Sequence, residues 1–185
     1  MTPKKLKERK ARWHRLDRAL KKLFPHATTE LIFKTSWQMM VAVQLSAQCT
    51  DKLVNRVTKE LFKKYKTLED YVRADPGEFT QMIRSVTFAN NKARNILAAA
   101  KVVKEKFKGK LPKTISEMIT IPGVGRKTAN VVLGEIYGIS EGITVDTHVI
   151  RFVNRFDLSD HKKVWITMEK LDDKTPEKHI LEGSF

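Results

Sequence analysis

Residues 121–138 read IPGVGRKTANVVLGEIYG, and this stretch decides the fold. One proline and two glycines fall within Ile121–Gly125, and a helical apolar pattern follows at once. Just upstream, TISE at 114–117 has the form of a cap that opens a helix. Two helices joined by PGVG make a helix-hairpin-helix. Gly123 and Gly125 are expected to permit positive φ and to remove side chains from the turn. The backbone can then approach a ligand, and its N–H groups, with those of the next helix's first turn, form an anion site. Pro122, Gly123, Val124, Gly125, Arg126 and Thr128 are the expected phosphate contacts. The loop carbonyls of Ile119, Ile121 and Val124 are the expected seat of a monovalent cation. An ordinary helix–turn–helix corner is the bland alternative, but PGVG followed by RKTA is more specific than such a corner. Lys127 falls in the first turn, where the helix dipole disfavours a cation.

The rest of the composition supports a polyanionic ligand. The 185 residues hold 36 Lys and Arg against 21 Asp and Glu, a net charge of +15. That excess points first to nucleic acid and second to a membrane surface. Charge spent on solubility is the ordinary alternative. An apolar content of 41% supports a globular chain of one domain, or of two small lobes. The single cysteine, Cys49, excludes an internal disulfide and any all-cysteine metal cluster. No apolar run is long enough to span a membrane, and the basic N-terminal stretch lacks the apolar core of a signal peptide. A cytoplasmic, nucleoid-associated protein is the expectation.

Nearly every segment reads as helix, so the expected fold class is all-α. Residues 4–24 place Leu6, Trp13, Leu16, Leu20 and Leu23 at helical spacing among many cations. Ser36 is the expected N-cap of a helix over 37–47, apolar almost all round and therefore central and buried. Asp51 is expected to cap a helix over 52–65, TLED (67–70) forms a capping box, and Asp75 with Pro76 opens the next helix. FANNKARNILAAAKVVKEKF (88–107) gives a long helix stopped by Gly109. Asp146 is the natural N-cap of a helix in VDTHVIRFVNRF. HKKVWITMEKL (161–171) reads as a last helix, and GITVD (142–146) is too short for a sheet.

IPGVGRKTANVV, with VDTH following Lys127, resembles the endonuclease III branch of the helix-hairpin-helix DNA glycosylase superfamily. HATTELIF, LSAQCTD and NNKARNI resemble that family's other segments in the same order, over residues 20–156 in all. The resemblance implies two helical lobes with DNA in the cleft: a six-helix barrel over 28–137, carrying the hairpin at 121–125, and a lobe built from 1–27 with 138–185. It implies that Lys127 attacks C1′ of a damaged nucleotide, that a Schiff base forms, and that β-elimination cuts the strand. It implies that Asp146 assists by proton transfer or by stabilising positive charge at the sugar. Monofunctional relatives carry serine where this chain has Lys127, so a bifunctional glycosylase/lyase acting on oxidised pyrimidines is preferred. The physics agrees: only about one free lysine in a few thousand is a neutral nucleophile at pH 7, and both the helix N-terminus and Arg126 disfavour the ammonium form. Gln48 and Phe88 take the family positions of plug and wedge, where an aromatic side chain can stack on exposed bases. For Phe88, core packing is an equal alternative. Cys49 reads as a small filler.

The sequence also departs from the family. Its usual C-terminus carries four cysteines that ligate an iron–sulfur cluster, and this chain has none after Cys49. No cluster, no structural metal held by side chains and no cofactor is expected, beside the monovalent cation at the hairpin carbonyls. The second lobe reads as shortened, either as a minimal cluster-free enzyme or as a truncated frame, with Trp165, Ile166 and Leu171 available to pack on the N-terminal helix. The expected partner is double-stranded DNA carrying a damaged base or an abasic site, bound by a monomer. The competing function is a non-catalytic helix-hairpin-helix DNA-binding module; a membrane-surface protein rests on charge alone.

Overall fold

Local capping chemistry sets where the helices begin. In the computed structural model, which describes residues 2–139 and 144–159, nine helices and no strand occur among the described residues. They are α1 (Pro3–Leu23), α2 (Ser36–Ser46), α3 (Asp51–Lys64), α4 (Leu68–Val72), α5 (Pro76–Met82), α6 (Ala89–Lys106), α7 (Ile115–Met118), α8 (Arg126–Tyr137) and α9 (Thr147–Arg155). Thr67 and Asp70 form the expected capping box, and Asp75, Thr114 and Asp146 cap α5, α7 and α9. Two starts move by one residue. Thr35 and Thr50, not Ser36 and Asp51, are the N-caps of α2 and α3, because their hydroxyls accept from the N–H groups of Gln38 and Leu53. Asp51 keeps a favourable place in the first turn instead. The helix expected over 161–171, and the packing of Trp165, Ile166 and Leu171, lie outside the described residues.

The chain divides into two units, Thr29–Ile139 and Met1–Thr28 with the residues after Ile139. In the first, α2 is the central element. Every residue from Trp37 to Leu45 is buried, as its all-round apolar pattern requires. Helices α3, α6 and α8 pack against it. An aromatic group made of Trp37, Tyr65, Tyr71 and Phe79 fills the space by α4 and α5, with ring centroids 5.3–5.8 Å apart in tilted and edge-on pairs. Gly138 closes α8 in the left-handed region at φ 65°.

In the second unit, α1 meets α9 and the residues that follow it. Val153 and Leu158 are fully buried against Leu6, Trp13, Leu16, Val149, Phe152 and Phe156. Among the described residues Leu20 is not part of this cluster, and Leu23 is 70% exposed. A cation takes a core place. Arg9, only 1% exposed, donates from Nε to the Asp157 carbonyl at 3.0 Å and from Nη2 to its carboxylate at 2.8 Å. Arg12 donates to the carbonyls of Phe156 (2.9 Å) and Asp157 (2.7 Å) and to the Asp157 carboxylate (3.0 Å). The two arginines thus satisfy carbonyls just past the C-terminus of α9, where cations are favoured.

Candidate functional site

The hairpin lies between α7 and α8 in the Thr29–Ile139 unit. Its turn is built on Gly123, whose φ is 75°. A Cβ there would stand 2.8 Å from Asn95 Cβ and 3.0 Å from Gln44 Oε1, so the position demands glycine for space as well as conformation. Gly125 corrects the sequence-based expectation. Its φ of −87° is ordinary extended backbone, and it serves as the N-cap of α8. A Cβ at Gly125 would meet nothing within 4 Å. The glycine therefore keeps space open on the outer side of the turn. Gly125 also brings no side chain to cap α8, so an external anion can take the role that an oxygen plays at α1–α5, α7 and α9.

The hairpin residues divide between anchoring and exposure. Ile121 and Val124 are buried, and Val124 N–H donates to the Ile121 carbonyl at 3.1 Å, closing the turn. Pro122 and Thr128 are half-buried, whereas Gly123, Gly125, Arg126 and Lys127 are exposed. Ile119, at the end of α7, is exposed as well. Gln44, one of two buried amides in the largely apolar α2, donates from Nε2 to the Pro122 carbonyl at 3.4 Å. Gln44 and Asn95 thus hold the turn from inside. Neither stood out as a site residue in the sequence; for Gln44 the available signal was a polar residue within a largely apolar run.

Gln48 and Phe88 come together on adjoining loops. Each is a non-glycine residue held in the left-handed region at φ 56°, and each is exposed, Phe88 by 63%. The alternative of core packing for Phe88 is thereby removed. The loops are stitched by Thr87, whose hydroxyl donates to the Gln48 carbonyl at 3.1 Å and lies 3.2 Å from Cys49 Sγ. Lys92 completes the junction from α6, its Nζ donating to the Leu45 and Ala47 carbonyls. Cys49 is half-buried, as a filler should be. Burial pushes its thiol up, but hydrogen bonds from Thr87 and the charge of Lys92 outweigh this and hold it below its ordinary value.

Asp146 lies in the other unit. One carboxylate oxygen, Oδ1, accepts from both the His148 and Val149 N–H groups at 2.9 Å, capping α9. The iron–sulfur cluster implied by the resemblance does not fit these residues. Four thiolates are required and the chain has one cysteine, itself engaged with Thr87 and Lys92. Among the described residues no three His, Cys, Asp or Glu gather into a metal site, and no helix is long and apolar enough to cross a membrane.

Residues 41–177 match the family described as HhH-GPD superfamily base excision DNA repair protein. The chain is 44% identical over 156 residues to endonuclease III of Synechocystis sp. (strain ATCC 27184 / PCC 6803 / Kazusa), covering 84% of this chain and 71% of that one. It is 46% identical over 148 residues to endonuclease III of Bacillus subtilis (strain 168), covering 80% and 67%. Its fold is similar to that of a trapped endonuclease III–DNA covalent intermediate, an estranged-adenine complex, with a TM-score of 0.82 and 41% identity, covering 88% of this chain and 78% of that one.

Proposed function

We infer the reaction from kinship: the chain belongs to the HhH-GPD superfamily of base excision DNA repair proteins, within its endonuclease III branch. It is a DNA glycosylase/lyase, and its partner is DNA. The non-catalytic alternative is disfavoured, because the relatives are named for an enzyme and one solved relative was trapped covalently on DNA. Within that reaction, oxidised pyrimidines are the proposed substrates, the nucleoid the proposed place of work, and the monomer the proposed active form.

Lys127 is proposed as the nucleophile. Its amine forms a bond to C1′ as the glycosidic bond breaks, and the departing base takes a proton. The sugar ring opens to an iminium, a base removes a C2′ proton, and the C3′–O bond breaks. The strand is then cut 3′ to the lesion. Asp146 is the proposed partner, as proton acceptor or as a negative charge facing the oxocarbenium-like sugar. Pro122 to Arg126 and Thr128 are proposed to hold a backbone phosphate. A monovalent cation at the carbonyls of Ile119, Ile121 and Val124 fits the same turn, since the Ile121 carbonyl keeps a second lone pair after accepting from Val124. Gln48 and Phe88 are proposed to fill the space left by the extruded base.

The observation that carries this reading is the turn itself. Gly123 is wedged against Asn95 and Gln44, Gly125 faces open space, and exposed Lys127 stands in the first turn of α8. Borohydride trapping on duplexes bearing one abasic site or one thymine glycol tests it. A covalent adduct on both, absent in Lys127→Ala, is the expected result. An adduct on the abasic duplex alone would revise the substrate, and none from folded, DNA-bound protein would overturn the role of Lys127.

A further inference from the structure

We propose that Lys92 is a positioning residue for base extrusion: its side chain ties together both loops that carry Gln48 and Phe88. The proposal rests on the plug-and-wedge reading of those two residues. Lys92 is 8% exposed, in the second turn of α6. Its Nζ donates to the carbonyls of Leu45 and Ala47, each at 2.7 Å, and reaches Cys49 Sγ and Thr87 Oγ1 at 3.5 Å. Its backbone N–H donates to the Phe88 carbonyl at 3.0 Å.

The need for such a residue follows from α2. Its last turn contains no basic residue, and its C-cap, Ala47, has φ −55° and ψ 115°, so no glycine closes it in a left-handed turn. The terminal carbonyls of a helix require donors, and its dipole favours a cation there. Lys92 supplies both from a different helix. The chain leaves α2 through Ala47 directly into Gln48, at φ 56°. A left-handed non-glycine residue persists only where its surroundings over-determine it. At Gln48 the surroundings are the Lys92 bond to the preceding carbonyl and the Thr87 bond to its own. At Phe88, also φ 56°, they are the neighbouring Thr87, whose hydroxyl bonds the Gln48 carbonyl and is reached by Lys92 Nζ, and the first helical bond of α6. One buried lysine therefore sets the spacing of the two side chains that must enter DNA together. The sequence offered a signal: Lys92 falls on the stripe that buries Ile96, Ala99 and Val103 in α6, a position that normally carries an apolar residue.

The test follows extrusion and chemistry separately in the full chain. A duplex carries 2-aminopurine beside thymine glycol, so its fluorescence reports unstacking, and borohydride trapping on a single-stranded abasic oligonucleotide reports the amine chemistry without extrusion. Lys92→Met removes the donors. Thr87→Val, at an exposed position, removes the hydroxyl link even if Lys92→Met fails to fold. Lys92→Arg restores charge and donors. The expected result is extrusion slowed about tenfold or more in Lys92→Met and several-fold in Thr87→Val, partial recovery in Lys92→Arg, and single-strand trapping within about twofold of the parent. Extrusion and trapping falling by the same factor in all three variants would reduce Lys92 to a structural role and overturn the proposal. Normal extrusion in Lys92→Met and Thr87→Val, with slowed extrusion in Gln48→Ala and Phe88→Ala, would overturn the role of Lys92 alone. Normal extrusion in Gln48→Ala and Phe88→Ala would overturn the plug-and-wedge reading, and the proposal with it.

Discussion

Two glycines two residues apart do different work, and substitution separates them. Gly123→Ala forces an L side chain to φ 75° and brings its Cβ within 2.8 Å of Asn95 Cβ. Left-handed backbone costs an ordinary residue about 1–2 kcal/mol, and the contact adds to it. A loss of about 2–3 kcal/mol is expected, read as a lower denaturation midpoint. Gly125→Ala meets no neighbour, so it should cost at most about 1 kcal/mol through the poorer N-cap. It should nevertheless weaken binding to an abasic duplex several-fold, since its methyl group occupies the space a phosphate would use. The hairpin was legible because prolines and glycines punctuate a sequence strongly. What each glycine does was not legible, because the wall around Gly123 comes from Gln44 and Asn95, dozens of residues away. Exposure of Phe88 was equally hidden: an aromatic residue beside a loop reads the same whether it faces core or solvent.

At the level of elements, Asp146 joins capping to proposed chemistry, and the two can be separated. Asparagine caps as well as aspartate does, whereas alanine does not. Asp146→Asn should leave stability close to the parent and lower strand cleavage on an abasic duplex at least tenfold. Asp146→Ala should lose cleavage and also about 1 kcal/mol of stability, because the His148 and Val149 N–H groups lose their acceptor. The α1–α9 pairing gives a pH signature. Arg9 first, and then Arg12, hold the Asp157 carboxyl below its ordinary range. A depressed folded-state value stabilises the fold above the unfolded value of about 3.9 and loses that contribution as pH falls through the folded one. Melting of the parent should therefore weaken more steeply below about pH 4 than that of Asp157→Asn. The two should converge at the acid end, since asparagine tolerates the φ of 46° found there. Element types were legible from caps and periodicity. The exact starts of α2 and α3 were not, because threonine and its neighbour offer equivalent oxygens and only geometry chooses. Nor was the burial of Arg9, because its partner lies 148 residues away.

For the whole molecule, +15 of net charge makes DNA affinity a property of the solution as much as of the site. Logarithmic affinity for a lesion-bearing duplex should fall linearly with logarithmic salt concentration, with slope about −0.9 per phosphate neutralised. Arg126→Ala should make that slope shallower by about one. Charge sign was readable from composition; which cations meet phosphate was not, since Arg9 and Lys92 are spent inside the protein. The terminal ion pair also imposes an order on synthesis. Every residue of the larger core falls between Leu31 and Leu133. That core has all of its parts while the ribosome is still adding the residues that follow. Arg9 leaves the ribosome among the first residues, yet burying its guanidinium before Asp157 exists would strand a charge. Free chains ending at residue 139 should therefore already protect the amides of α2 and α6 from exchange. Those of α1 should stay open to solvent unless the chain extends past Leu158.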